Sequence, residues 1–314
     1  MTLPMGRAMR EVFGETLAAI ADEDPRVYVL DGDVGSSTRA DIFEKAHPDR
    51  YLQMGIAEQN MIGTAAGLAT MGLVPFVSTF VAFAIVRPLD QVRVLVAQPR
   101  LNVKLTPGYA GLFTGRTGMS HIIVDDLTIV RAMPNMVAVA PADDVEAAQA
   151  LRWAAAYDGP CYVRLVRDPT QRLFDDGYRF EFGRAIVVRE GRDVTLVSTG
   201  TQTPRVVDAA ELLAERGIEA HVVHVPTIKP LDEAAIVAAA DRTGLVVTVE
   251  EHTIYGGLGG AVAEVLSEQR PTRLHRLGLR DVYPESGPNE ALLEIYGLSA
   301  GRVAEEIETV VRGR

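Results

Sequence analysis

A carboxyl group behaves unusually when its surroundings are apolar, and Glu58 is flanked by Ile56, Ala57, Met61 and Ile62. Burial disfavours the charged form, so an acid in such a setting can hold or share a proton near neutral pH. The same residue also opens a helical pattern, where a glutamate is favoured by the helix dipole alone. The pattern by itself leaves both readings open. His121, near the end of the loop TGRTGMSHI (114–122), is a lone histidine, and such a residue is often just a satisfied polar group. His224, His252 and His275 lack metal-ligand spacing, so no metal site is expected in this chain. Arg10 and Arg167 carry guanidinium groups, which either grip phosphate oxygens in a bidentate way or form surface ion pairs. Phe80 and Phe83 stand three residues apart, a spacing that serves a core as readily as a pocket wall. The run GGLGG (256–260) looks like a phosphate cradle, but no Lys-Ser/Thr follows it and the Rossmann spacing is absent. It reads better as a tight strand-to-helix connection. Cys161 lies in an apolar run and reads as inert core.

The elements that must position these residues alternate along the chain. Helical spacing covers 6–22, 57–71, 86–97, 125–132 and 143–157, and short apolar runs at 27–30, 74–77, 102–105, 137–140 and 161–165 read as strands. Helix 57–71 is rich in small residues (Gly63, Ala65, Ala66, Gly67, Ala69), which let a helix come close to another backbone. The polar and aromatic stretch DPTQRLFDDGYRFEFG (168–183) interrupts the pattern, which then resumes. Strands are expected at 194–198, 220–225, 244–250 and 272–277, and helices at 203–216, 232–242, 258–268, 288–296 and 299–312. Alternation of this kind predicts an α/β protein of two doubly wound domains with mostly parallel sheets. The domains are placed at 1–170 and 184–314, with 171–183 as the linker.

Composition narrows the functions. The 314 residues are 47% apolar and 23% charged, enough for two cores in an ordinary globular protein. A net charge of −11 argues against nucleic acid or an anionic membrane as partner. No apolar run reaches the length of a membrane span. The N-terminal stretch MTLPMGRAMREVFG turns charged too early for a signal peptide, and a single cysteine fits a reducing compartment, so a cytoplasmic location is expected.

The segment GIAEQNMIGTAAGLATMGLVPFVSTFVAF (55–83) resembles the pyrimidine-binding domain of transketolase and of deoxyxylulose-phosphate synthase. The resemblance continues through RAMPNMVAVAPAD (131–143), DGPCYVRLVR (158–167) and VEEHTIYGGLGG (249–260), in the family's order, and covers nearly the whole chain. It implies a pyrimidine-binding thiamine-diphosphate fold followed by a transketolase C-terminal domain, as in the C-terminal subunit of a split transketolase. Glu58 is then the catalytic acid that hydrogen-bonds the cofactor's aminopyrimidine ring. Phe80 and Phe83 match the aromatic positions packed against that ring. The family holds the diphosphate through Mg²⁺ with a GDG motif and a downstream asparagine. Here Gly32-Asp33-Val34 and Asn60 imitate that spacing with valine in third place and align with another family segment. Thiamine diphosphate and Mg²⁺ are therefore expected to be completed by a partner, an N-terminal transketolase subunit carrying the diphosphate-binding domain, in an α₂β₂ assembly.

The resemblance also assigns Arg10, Ser37 and Arg167 to the phosphate of a sugar phosphate and His121 to the reacting carbons. Val86 stands in a region where single-chain transketolases place a tyrosine, Arg116 and Thr117 replace an acidic pair, Ile122 replaces a glutamine, and Tyr109 aligns with a phosphate-site histidine. Thr117 thus occupies a position that reads donor hydroxyls. These departures point away from the standard pentulose donor and toward a modified ketose, branched or sulfonated, apulose 4-phosphate being one candidate. Two other readings stay open: the β-subunit of a 2-oxoacid dehydrogenase E1, which also needs an α-partner, and a non-catalytic interaction subunit that kept the fold.

Overall fold

The computed structural model describes residues 3–313. A seven-stranded sheet is ordered Thr227–Lys229, Val137–Val139, Cys161–Val163, Lys104–Leu105, Val74–Ser78, Val27–Asp31, Tyr51–Gln53. All neighbours in it are parallel except the first pair. A five-stranded sheet follows the order Arg273–Leu279, Leu245–Thr253, Val194–Ser198, Ala220–His224, Ile186–Arg189, with only the last strand antiparallel. Central strands such as Val74–Ser78 and Val194–Ser198 are buried at every residue, as strands covered on both faces must be.

Several short pieces depart from the sequence expectation, among them strands Tyr51–Gln53 and Ile186–Arg189 and helix Ala40–Ala46, where none was expected. The helix expected over 6–22 begins at Met9, because Met5–Ala8 pairs antiparallel with Pro169–Gln171. Thr227–Lys229 leaves the second half of the chain and joins the edge of the first sheet. The helix expected at 86–97 starts earlier, at Ala82, and has wide π-type turns at Ala82–Val86 and Val92–Ala97 on either side of Pro88. A proline cannot donate to the helical ladder, and widened turns are a common way to absorb such a break.

The interrupted stretch at 168–183 is tied down on helix Asp144–Ala156 and its cap. The Asp143 carboxylate caps helix Asp144–Ala156 and also accepts from the backbone N–H of Leu173 and Phe174, both at 2.7 Å. The Tyr178 hydroxyl donates to Glu146 at 2.5 Å, and the other Glu146 oxygen contacts His224 Nε2 at 2.8 Å. Glu146 and His224 are fully buried and belong to opposite halves of the chain. Among the described residues no helix is long and apolar enough to cross a membrane.

Candidate active site

Glu58 is the first residue of helix Glu58–Thr70 and is 5% exposed. Ile56, two residues before it, is 74% exposed, so the acid sits just under an open surface. Arg87 Nη1 donates to Glu58 Oε1 at 2.8 Å, and the same guanidinium lies 4.0 Å above the centre of the Phe83 ring. Sequence reading missed Arg87. Its signal was present, since it stands one helical turn after Phe83.

The aromatic residues gather beside this pair. Phe80 is buried, stacks on Tyr109 with centroids 3.9 Å apart, and lies 5.8 Å from Phe83. The His121 ring meets Phe83 edge-on at 5.2 Å and Phe80 at 5.8 Å, while its Nδ1 is 2.9 Å from Ser120 Oγ. Strand Val74–Ser78 and the helical turns after it present Phe80 and Phe83, and the loop crossing above them brings His121 down.

Tyr109 connects the aromatic cluster to the arginines. It has a left-handed backbone (φ 68°), a conformation that costs a non-glycine residue energy. Its hydroxyl accepts from Arg167 Nε at 3.0 Å and lies 3.5 Å from the Ser37 carbonyl oxygen. That carbonyl also accepts from Arg10 Nη1 at 3.3 Å, and Arg10 Nε is buried without a partner. Asp31 shapes the loop carrying Ser37: its Oδ2 accepts from the N–H groups of Val34 and Gly35 and from Gln53 Nε2. Burial pushes the Asp31 carboxyl above its ordinary range, although those donors pull it back. Arg10, Ser37, Tyr109 and Arg167 are thus brought together, and so are Glu58, Phe80, Phe83 and His121.

Thr117 is placed differently. It is exposed, and its hydroxyl donates to the Thr114 carbonyl at 2.5 Å while lying 2.7 Å from the Thr114 hydroxyl. The loop's own turn therefore uses much of its hydrogen-bonding capacity. The GGLGG connection is filled from inside the chain. Glu250 accepts from the N–H of Leu258 and Gly259 at 2.7 and 2.8 Å, so a carboxylate occupies the helix N-terminus that a phosphate would need. Among the described residues no group of three or more His, Cys, Asp or Glu is placed to hold a metal ion.

The helix behind Glu58 carries an unfilled face. A methyl group added at Gly67 would meet nothing within 4 Å, and one at Gly63 would only touch Leu95 at 4.0 Å. Ile56, Met71, Val86, Leu89 and Leu95 are exposed along this helix and the one packed on it. Ala65 and Ala66 pack into the chain's own core, but at Gly63 and Gly67 no close approach is made within the chain.

The chain is similar to known proteins over nearly its whole length. The family model for the transketolase pyrimidine-binding domain matches residues 5–171, and that for the transketolase C-terminal domain matches residues 183–303. A Methanocaldococcus jannaschii protein named as a transketolase C-terminal section is 43% identical over 96% of this chain and 95% of its own length. A 6-deoxy-6-sulfo-D-fructose transketolase subunit from a Clostridium species is 39% identical over 96% of this chain and 94% of its own. A solved structure described as a split gene transketolase, inactive beta4 tetramer, superposes with a TM-score of 0.91 at 43% identity, covering 98% of this chain and 99% of that one. Two domain matches in order, together with full-length likeness in sequence and in structure, place this chain in the transketolase family, with the pyrimidine-binding and C-terminal domains of a split transketolase.

Proposed function

We propose that this chain is the glutamate-bearing subunit of a thiamine-diphosphate-dependent transketolase, moving a two-carbon ketol unit from a ketose phosphate to an aldose phosphate. The observation that carries the reading is Glu58: a buried acid at a helix start, under an open face, linked through Arg87 to the Phe83 ring that His121 meets. Transketolases depend on thiamine diphosphate, which supplies the nucleophilic carbon that takes up the ketol unit. The residues here fit its aminopyrimidine half, because an acid and two aromatic side chains stand together at the edge of an accessible surface. Glu58 would share a proton with the ring nitrogen, and Arg87 would have to yield one carboxylate oxygen to that contact. Phe83 and Phe80 would fix the ring plane. His121 would hold or pass a proton at the substrate oxygens, and Arg167 and Arg10 would take the sugar phosphate.

In this reading the diphosphate and Mg²⁺ are held by a second chain, an N-terminal subunit with the diphosphate-binding domain, docked on the face around Gly63 and Gly67. The open glycine face and its apolar surround support this, as do relatives named as a C-terminal section and a split-gene protein. The working assembly is proposed as α₂β₂, because a cofactor site between unlike chains and two-fold symmetry require two of each. The domain limits are proposed at 1–170 and 184–314. The donor is proposed to be a modified ketose, with apulose 4-phosphate and a sulfonated ketose as the first candidates. Arg116 is exposed in the loop that leads to His121 and adds positive charge, and one relative's name specifies a sulfo-sugar.

The test is a donor panel against one aldose phosphate, with the chain alone and with its partner, at saturating thiamine diphosphate and Mg²⁺. Transfer only in the presence of the partner is expected, with xylulose 5-phosphate a weaker donor than a modified ketose. Full activity of the single chain would refute the split-subunit reading. Xylulose 5-phosphate as best donor by a wide margin would refute the specificity.

A further inference from the structure

Helix Asn289–Ile295 belongs to the second half of the chain, yet its first side chain reaches into the first. Asn289 Nδ2 donates to Asp168 Oδ2 at 2.9 Å and to the Phe113 carbonyl at 3.3 Å, while its Oδ1 accepts from the Gly115 N–H at 3.2 Å. The other Asp168 oxygen accepts from Arg167 Nη1 at 2.6 Å, and Arg167 Nε reaches the Tyr109 hydroxyl. One carboxamide therefore touches both the loop Gly111–Thr117, which leads to His121, and the carboxylate that holds Arg167.

The packing around it is specific. The Gly287 N–H donates to the Gly115 carbonyl at 3.1 Å. A methyl group at Gly115 would lie 2.4 Å from Leu292 Cδ1 and 2.5 Å from the Gly287 carbonyl, so this glycine is what lets the helix press on the loop. An amide also suits the junction chemically. It offers donors to a carboxylate and a carbonyl and an acceptor to an N–H, a combination that neither a carboxylate nor a hydroxyl can supply.

We infer that Asn289 is a positioning residue through which the second domain sets the donor-phosphate site: it fixes Asp168, and Asp168 fixes the Arg167 guanidinium at the angle a phosphate needs. This rests on the proposed reading of Arg167 as a phosphate ligand. A guanidinium with free rotamers must be ordered on binding, whereas one already held between Asp168 and Tyr109 pays less of that cost. The C-terminal domain then acts on substrate selection without touching the reacting carbons.

The experiment uses the enzyme reconstituted with its partner and compares a phosphorylated ketose donor with hydroxypyruvate, which has no phosphate. Asn289→Ala should raise KM for the phosphorylated donor about tenfold, with kcat and the hydroxypyruvate KM within about twofold of wild type. Asn289→Asp, which sets a carboxylate against Asp168, should be worse on the phosphorylated donor alone. Equilibrium binding of that donor to the cofactor-free complex should weaken by the same factor. Asn289→Ala added to Arg167→Ala should cost little beyond Arg167→Ala itself, because the two act through one contact. Asn289→Ser serves if the alanine variant folds poorly. Equal losses on both donors, or independent losses in the double variant, would overturn the inference. If Arg167→Ala itself shows no difference between donors, it is the phosphate-site reading that has failed.

Discussion

At Glu58 the question is which contact wins the carboxylate. Its Arg87 partner is half-exposed, so solvent screens the pair and the guanidinium can leave at modest cost. Glu58→Gln keeps the shape and a hydrogen-bond acceptor but cannot share a proton. With the partner present, turnover should fall by about 10²–10⁴-fold while the thermal transition stays near wild type. More than half the wild-type rate would remove Glu58 from the mechanism. The residues of this site were legible to different degrees. Glu58, Phe80 and Phe83 lie within one continuous run, so one motif carried all three. Arg87 lies four residues beyond Phe83, and the chemistry of the pair shows only when the helix turns it back over the ring. Asn289 was illegible for a different reason: nothing in local sequence says that a helix near position 290 will meet a loop near 115.

At the scale of elements, the strand-to-helix junction at Glu250 shows how an internal acid replaces a ligand. A methyl group at Gly257 would stand 2.3 Å from Glu250 Oε2 and 2.6 Å from His252 Nδ1, so Gly257→Ala must displace the cap. The expected cost is about 1–3 kcal/mol, read as a fall of several degrees in Tm; an unchanged Tm would mean that the cap contributes little. Burial pushes the Glu250 carboxyl up to about 7, against the pull of the Gly259 and Leu258 N–H groups. The folded chain therefore binds that proton more tightly than the unfolded chain. This contribution is full below the unfolded value near 4.5 and is lost as pH rises through about 7. Burial lowers His252 to about 4, with the opposite effect: its contribution is full above about 6.5 and is lost as pH falls through about 4. Glu250→Gln should remove the first dependence alone. The stability of wild type relative to this variant should then fall by up to about 3 kcal/mol between pH 4.5 and 7 in urea titrations. A flat difference would show that the carboxyl does not titrate there. Sequence gave the glycines and the junction here, but not the acid, since an internal cap for the turn requires knowing where the strand's side chains point.

For the whole molecule, the two α/β units and their central strands followed from apolar runs alternating with helical spacing. The pieces that escaped were short: helix Ala40–Ala46, and strands ruled by long-range pairing such as Met5–Ala8, Tyr51–Gln53, Pro169–Gln171, Ile186–Arg189 and Thr227–Lys229. The open glycine face gives a prediction at this scale. Gly67→Leu has room in the chain and replaces a glycine inside a helix, so it should leave the chain's stability unchanged or raise it by up to about 1 kcal/mol. The same variant should fail to assemble with the diphosphate-binding partner by light scattering. Normal assembly would place the docking surface elsewhere. The strand Thr227–Lys229 carries a consequence for the history of such genes. It hydrogen-bonds to the outer edge of Val137–Val139, so the second half of the chain closes a sheet that the first half leaves open. An open edge invites pairing with other chains. A recombination event that cuts near residue 183 and brings in a foreign second half would therefore leave that edge bare unless the newcomer also brought a strand fitting it.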